Sequence, residues 1–551
     1  MKKNYVKIVM LILAFAVVLS AFASCDSSGK PGGASSGGVE TLSDKYEKEV
    51  VYTTVRPSTA DPKMPADMTL ENNPYTKFMK DELNVSYKIL WSDMAYDERI
   101  ALDITNGTLP DIFVINDYSM YQQLYEADML QDMTDFYENY ATEKIKASYN
   151  SYPGIFDSVT ENGRIMAIPG TANGYQQELL WVRKDWLDAL GLEPPKTIED
   201  ITKVGKAFVE QDPDGNGKAD TIGININREG SFKGYRNSYG LELVASAMGA
   251  FPRQWMKDDS GKLFYGSVQP EFKQTLTLVR EWVDAGIIDQ GCFEQGWETI
   301  WGNTTNGKAG MWFFPWNWAL NNTEFKEKNP RAEVICYPAP LDTNGSGKVT
   351  YFTGAPYENI LCVRKGYEHP EVIFKVFDLY QKMESGQNKA GYEALKPVRD
   401  AQTVWHHIAP LGTFDIRDDD VIPKNSKKID AYVKDGTEPE NFNEFTKVLW
   451  DQATSWMNNR ENPKEWGFYT SSLLACLLTD DPIFNPKKPA FFYRTRDMID
   501  LWDYLAVLEN DAIRTIMRGD NGIEYFDKFV ADWKEQGGDE LTAEIEKTIN
   551  K

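Results

Sequence analysis

The spacing of apolar and polar residues changes period several times along the chain. "EVVYTTV" (49–55), "VSYKILW" (85–91) and "DIFVIN" (111–116) are β-branched and aromatic runs bounded by Pro, Gly, Asn and Asp, and they read as strands. Between such runs the apolar positions recur at helical spacing. "PEFKQTLTLVREWVDAG" sets Phe272, Leu276, Val279 and Val283 on one face, with Pro270 suited to the first turn and Gly286 to the C-terminal cap. "HPEVIFKVFDLYQKM" gathers Val372, Ile373, Val376, Phe377 and Tyr380 into one stripe. This alternation predicts an α/β architecture with mixed sheets, and about the last hundred residues carry mostly helical pattern.

The N-terminus follows a different rule. Lys2, Lys3 and Lys7 precede an apolar run from Ile8 to Ala23, which ends in "FASC". A basic start, a short apolar core and small residues before a cleavage point predict a signal peptide over residues 1–24. The run is shorter than the roughly 20 residues that a membrane span needs. "FASC" resembles the lipobox of bacterial lipoproteins, with Phe22 where that family usually has leucine. The resemblance implies that Cys25 is diacylated, palmitate included, and becomes the new N-terminus. The Gly/Ser-rich stretch after it, "DSSGKPGGASSGG", predicts a flexible tether over 25–45.

A chain of 551 residues has room for two or three domains, each with its own core. The formal charge of −24 argues against nucleic acid or an anionic membrane surface as partner. Cys292, Cys336, Cys362 and Cys476 form no CxxC pair, which points to buried free thiols; a Cys336–Cys362 bridge is the alternative. Only His369, His406 and His407 are available as imidazoles, which weakens a histidine-based catalytic or zinc reading. Two catalytic-looking strings fail on context. "GASSG" (33–37) lies in the tether, and "GNTTNGKA" (302–309) has Ala309 where a P-loop needs Ser or Thr.

"MWFFPWNW" (311–318) is the most suggestive aromatic run. Trp312 and Phe313 read as core. Trp316 and Trp318 follow Pro315 at a strand end, where a flat ring serves either the core or the wall of a sugar site.

Longer stretches carry a resemblance. "ITNGTLPDIFVIND" (104–117), "NGRIMAIPG" with "LLWVRKDWLDALGLEPPKTIED", "NGKAGMWFFPWNW", "HPEVIFKVFDLY" and "FVADWKEQGGDELTAEIEK" occur in the order seen in extracellular solute-binding lipoproteins of carbohydrate ABC importers (family 1 type). Within that family the chain is most similar to the alginate-binding proteins and, distantly, to maltose-binding protein. The resemblance implies a two-lobe periplasmic-binding-protein-like fold with several interlobe crossings and a helical C-terminal region. Lobe 1 is expected over 46–168 and about 341–385, and lobe 2 over 169–340 and about 386–551. Carried over by position, the ligand-facing residues are Arg56, Trp91, Asp93, Asp117, Tyr118, Tyr175, Trp316 and, from "GYRNSYG", Tyr235 or Tyr239.

"DPDGNGKADTIG" (212–223) has the spacing of a calcium loop. Asp212, Asp214 and Asn216 fall at positions 1, 3 and 5, Gly217 at the turn, the Lys218 carbonyl at 7 and Asp220 at 9. Gly223 replaces the bidentate Glu of position 12, which argues for a structural ion rather than a sensor. By resemblance to the alginate-binding proteins, Thr221 adds a donor. The plainer alternative is an Asp/Gly turn that only reverses the chain.

The expected function is a membrane-tethered receptor that captures an oligosaccharide or sugar derivative and delivers it to an ABC permease, as a monomer and without performing a reaction. The rivals are a receptor for a peptide or other solute, and a surface-anchored glycosidase with two carboxylates about 5–10 Å apart.

Overall fold

The computed structural model describes residues 45–58, 64–172, 174, 176–228, 232–401, 408–435, 444–493 and 496–550. Cys25, the signal and the tether up to residue 44 lie outside the described residues, as does Tyr175. In chain order the principal strands are β1 (Val50–Pro57), β2 (Val85–Asp93), β3 (Ile112–Ile115), β4 (Ile168–Thr171), β5 (Leu179–Arg183), β6 (Ile222–Ile224), β7 (Ala309–Phe314), β8 (Val334–Tyr337), β9 (Val349–Phe352), β10 (Tyr357–Val363) and β11 (Phe484–Lys487). The helices used below are α1 (Ile198–Glu210), α2 (Pro270–Asp284), α3 (Trp297–Thr305), α4 (Val372–Glu384) and α5 (Arg496–Arg518).

Two separate cores organise these elements. In the first, β10 lies between β3 and β4 and runs antiparallel to both, with β1 and β2 as a parallel pair. Successive residues of a strand point to opposite faces, so one sheet feeds two clusters. Ile112, Leu361 and Val363 pack with Tyr52, Val85 and Phe377, whereas Phe113, Ile115, Ile360 and Cys362 pack with Ile100, Tyr121 and Leu124. The second core is built on the strand order β8-β5-β7-β6. Every residue of β5 and β7 is buried, which suits their unbroken apolar runs, since a central strand covered on both faces has no polar side to show. α1, started by a Thr197–Asp200 capping box, covers this sheet with Ile201, Val204 and Phe208, and α2 adds Phe272, Leu276 and Val279. The C-terminal helices close it through Leu505, Ile513, Phe526 and Trp533.

The chain passes between the cores after Ala172, after Phe352 and after Ile416. The last two points differ from the expected switches at about 341 and about 386. β9 stays with the second core because it pairs in parallel with β11. Residues up to 416 stay with the first because Leu395, Val398, Leu411 and Phe414 bury against the α4 side of that core. The cysteine alternative is corrected too. All four described cysteines are free, and Cys336 packs on the second core while Cys362 lies in the first. Burial pushes the Cys292 thiol up to about 12.

Candidate ligand-binding site

Trp297 is an exposed tryptophan, at 48% accessibility, set at the start of a helix. It opens α3, in which "GWETIW" spaces Trp297 and Trp301 four residues apart and so on one helical face. Their rings stack with centroids 5.8 Å apart and planes 26° apart, and the buried Tyr239 ring supports Trp297 from 5.7 Å. Trp297 lines two cavities, and Trp301 lines one of them. One, of about 330 Å³, is lined by Gln176, Arg236, Trp301, Pro315, Asn317 and Asn321, and the other, of about 230 Å³, by Arg228, Lys233, Asn237 and Gln295. Trp297 and Ser238 face both. Gln176 belongs to the first crossing and Pro315–Asn317 follows β7 directly, so the cavity sits where the crossing meets the C-terminal end of β7. A rigid apolar ring rimmed by amides and a guanidinium suits a sugar, whose C–H face stacks while its hydroxyls take hydrogen bonds.

The loop that carries Lys233 and Arg236 is held in an uncommon backbone shape. Phe232, Arg236 and Tyr239 have φ of 64°, 67° and 62°. Such conformations persist only where neighbours over-determine them. Here two fully buried carboxylic acids do so. Glu242 accepts from the Gly234 amide at 3.0 Å and from Asn237 Nδ2 at 2.7 Å, and the Glu178 carboxyl lies near the backbone amides of Arg236 and Asn237, which act against the effect of its burial. Burial pushes the Glu178 carboxyl up to about 8, and burial together with the charge of Glu178 raises Glu242 well above the usual carboxylate range. Gly240 allows this packing, since a Cβ there would stand 2.0 Å from Glu242 Oε2. On the solvent side, Arg236 pairs with Glu358 of β10.

The residues expected from sequence fall in several places. Arg56 is buried, with its guanidinium donating to the carbonyls of Ala409 and Pro410, and so serves the core rather than a ligand. Trp91 is half-buried and donates its indole N–H to Asp103 at 2.7 Å, while Asp93 pairs with Arg99. Asp117 caps the helix beginning at Tyr118 through the Ser119 amide. Tyr118 is buried, with its ring 4.0 Å from that of Tyr493. None of these first-core residues lines the cavities beside Trp297.

In the second core, Tyr239 and Trp318 are fully buried. The Tyr239 hydroxyl bonds Thr304 and accepts from the Trp318 indole, and Trp318 packs among Trp181, Trp312 and Trp466. Both are core residues, a correction imposed by their complete enclosure. Tyr235 lines a separate cavity of about 230 Å³ at the crossings with Tyr152, Tyr351 and Asp419, and its hydroxyl accepts from the Gln176 amide. Trp316 is half-buried against the second core, between Pro315 and Asn317, which do line the site. Trp297, Trp301, Arg236, Asn317 and Glu178 were missed, although the two tryptophans at helical spacing in "GWETIW" were a usable signal. The P-loop-like string is resolved by order: 302–305 ends α3 and Ala309 begins β7, a helix-to-strand turn instead of a strand-to-helix one.

The 212–221 loop joins α1 to β6. β6 runs parallel to β7 with Ile222 opposite Ala309, so the loop lies at the other end of the sheet from Pro315. Asn216 Nδ2 bridges Asp214 at 2.8 Å and Asp220 at 3.0 Å, and Asp212 accepts from the Asn216 and Gly217 amides. Burial above all, then the hydrogen bond and charge of Asp212 and the charge of Asp220, raise the Asp214 carboxyl. Thr221 donates to the Phe208 carbonyl, which ties the loop to α1. Among the described residues no group of three or more His, Cys, Asp or Glu side chains is close enough to hold a metal ion, and in this loop the Asn216 amide stands between Asp214 and Asp220.

Comparison with known proteins is consistent with this architecture. The fructooligosaccharide ABC transporter substrate-binding protein FusA of Streptococcus pneumoniae is 26% identical over 366 residues, 63% of this chain and 64% of FusA, so the chain aligns with just under two thirds of that relative. Two Bacillus subtilis proteins align over more: the polygalacturonan/rhamnogalacturonan-binding protein YtcQ at 22% identity (85% of this chain, 86% of YtcQ) and lipoprotein LipO at 23% (88% and 90%). Among solved structures, an HMO binding ABC-transporter associated solute binding protein of Bifidobacterium longum infantis superposes with a TM-score of 0.61 at 15% identity, covering 91% of this chain and 99% of that one. An EF-hand mutant of S. pneumoniae FusA in complex with fructo-nystose gives 0.57 at 19%, with coverage of 91% and 99%. These establish the two-domain periplasmic-binding-protein-like fold. The model of the bacterial extracellular solute-binding protein family matches residues 75–372, more than half of the chain, and the chain belongs to that family of non-enzymatic binding proteins.

Proposed function

We propose that this protein captures an oligosaccharide or sugar derivative outside the cytoplasm and hands it to the permease of an ABC importer, acting as a monomer. The observation that carries the reading is Trp297, stacked on Trp301 and shared by two cavities whose rims supply amide and guanidinium donors. Support also comes from the relatives, whose names specify fructooligosaccharide and polygalacturonan. In this reading the two cores are the lobes of a clamp, and excluding water between them strengthens each hydrogen bond to the sugar. Titrating the protein with a panel of oligosaccharides tests it: at least one binds saturably with no product formed, and silence across the panel defeats it.

Two features complete the reading. We infer that Cys25 carries the lipid anchor, supported by the lipobox-like "FASC" and by the similarity to lipoprotein LipO. A Cys25→Ala variant that fractionates with membranes as the parent does would refute this. We also infer that the 212–221 loop takes a structural calcium ion. Asp212, Asp214 and Asp220 supply hard oxygen donors, and turning the Asn216 amide about χ2 exchanges its Nδ2 for Oδ1 between them.

A further inference from the structure

Two of the three crossings pass from one core to the other at a glycine. In the first, the chain is fastened to the first core as far as Ala172. The Thr171 amide donates to the Asp415 carbonyl at 2.9 Å, and the Ala172 carbonyl accepts from the Tyr152 hydroxyl. By Gln177 the chain is fastened to the second core, where its Nε2 donates to the Thr479 carbonyl at 2.7 Å. Gly174 stands between, at φ 63°, and a Cβ there would lie 1.7 Å from the Asp419 carbonyl oxygen of the third crossing. In the second crossing, the Thr353 amide donates to the Lys487 carbonyl of β11 at 2.9 Å, and the Pro356 carbonyl accepts from the Ala172 amide at 3.0 Å. Gly354 stands between those two fastenings.

Tyr235 touches both glycines. It belongs to the second-core loop whose Arg236, Asn237 and Ser238 line the cavities beside Trp297. The end of that loop is tied to β7, since the Tyr239 amide donates to the Phe313 carbonyl at 2.8 Å. The Tyr235 hydroxyl donates to the Gly174 carbonyl at 3.1 Å and accepts from the Gln176 amide at 2.7 Å, so one oxygen holds the first crossing at two points. Its ring lies against Gly354, where an added Cβ would stand 2.8 Å from Tyr235 Cδ1, and it stacks on Tyr351 of β9 with centroids 6.2 Å apart. Beside the ring is the cavity of about 230 Å³, to which all three crossings contribute through Ala172, Gly174, Gly354, Pro356 and Asp419. Such a gap leaves the crossings room to move, which a close-packed interior would not. A few small residues at the ends of elements are what hinge motions use.

We propose that Tyr235 is a positioning residue that sets the angle between the two cores. Its hydroxyl fixes the first crossing and its ring props the second, so the loop that offers side chains to a solute also holds the hinge. Without the hydroxyl, Gly174 loses its link to the second core, and a glycine so released turns freely. The cores then sample a range of angles. This role differs from the ligand contact that resemblance implies for Tyr235, and it rests on the clamp reading above.

The test is distance measurement by pulsed electron spin resonance on the full chain in a Cys25→Ala background, with one spin label on each core. Leu102→Cys and Val507→Cys supply the labelled positions, both exposed in the parent. Burial raises the thiols of Cys292, Cys336, Cys362 and Cys476, which keeps them from reacting with the label. The parent is expected to give one narrow distance. Tyr235→Phe, which removes only the hydroxyl, should broaden the distribution and add a second population. Tyr265→Phe, which removes a hydroxyl bonded to Glu509 inside the second core, should leave it narrow. If Tyr235→Phe matches the parent, whether both are narrow or both broad, the proposal is overturned. Equal broadening in the two variants overturns it as well, because the effect is then a general loosening. With kestose and trigalacturonate as probes, the same labels test the clamp separately. A probe that binds without changing the parent's distance defeats the clamp and leaves the assignment of Tyr235 standing.

Discussion

Glu178 shows how much one side chain decides here. It lies just before β5, buried, with its carboxyl near the Arg236 and Asn237 amides of the loop. Burial raises it from the ordinary 4.5 to about 8, so the folded protein keeps a proton that the unfolded chain gives up. The stability from that proton is complete below the unfolded value and declines as pH rises toward the folded one. For this group alone the slope is about 1.4 kcal/mol per pH unit. Glu178→Gln, which keeps the shape and removes the titration, should therefore gain on the parent steadily between about pH 4.5 and 8. Melting curves across that window check it, and parallel curves for the two proteins would show that Glu178 does not titrate there. Trp297 makes the opposite point: an exposed ring that is only half-enclosed by the core and open to a ligand.

At the scale of elements, the calcium loop is the sharpest case. It lies at the far end of the β6–β7 sheet from Trp297, so an ion there acts on stability and leaves ligand preference alone. Calcium added to chelator-stripped protein should raise the melting temperature, by the equivalent of about 2.7 kcal/mol at a hundredfold excess over its Kd. Asp212→Ala and Asp214→Ala should abolish the gain with oligosaccharide affinity unchanged. A shift that survives both substitutions would place the ion elsewhere.

The elements themselves were legible wherever the signal is local. The strands near 50, 85 and 112 and the helices from Pro270 and through Val372–Glu384 appear as read, with Gly286 at φ 70° just past its helix. What the sequence did not disclose is non-local. Whether β9 joins one sheet or the other depends on β11, more than a hundred residues away. Trp318 resolves to the core because a place at a strand end does not say which side of the chain meets the core, and Tyr239 does so because a position carried over by resemblance does not fix where a ring packs. Trp297 and Trp301 carry a weaker signal in the sequence, because two aromatics four apart on a helix read equally well as a core stripe.

Across the whole molecule, two independently packed cores share three crossings, and the aromatic wall stands beside the first of them. That arrangement makes the Trp297 face the point on which the account turns. The measurement that tests it most directly is calorimetric titration of the parent and of Trp297→Ala with whichever oligosaccharide binds the parent. Loss of an exposed stacking ring should weaken binding by about 1–3 kcal/mol, roughly ten- to a hundredfold, with the melting temperature of the free protein nearly unchanged. Equal affinity in the two proteins would contradict the account and move the site away from Trp297.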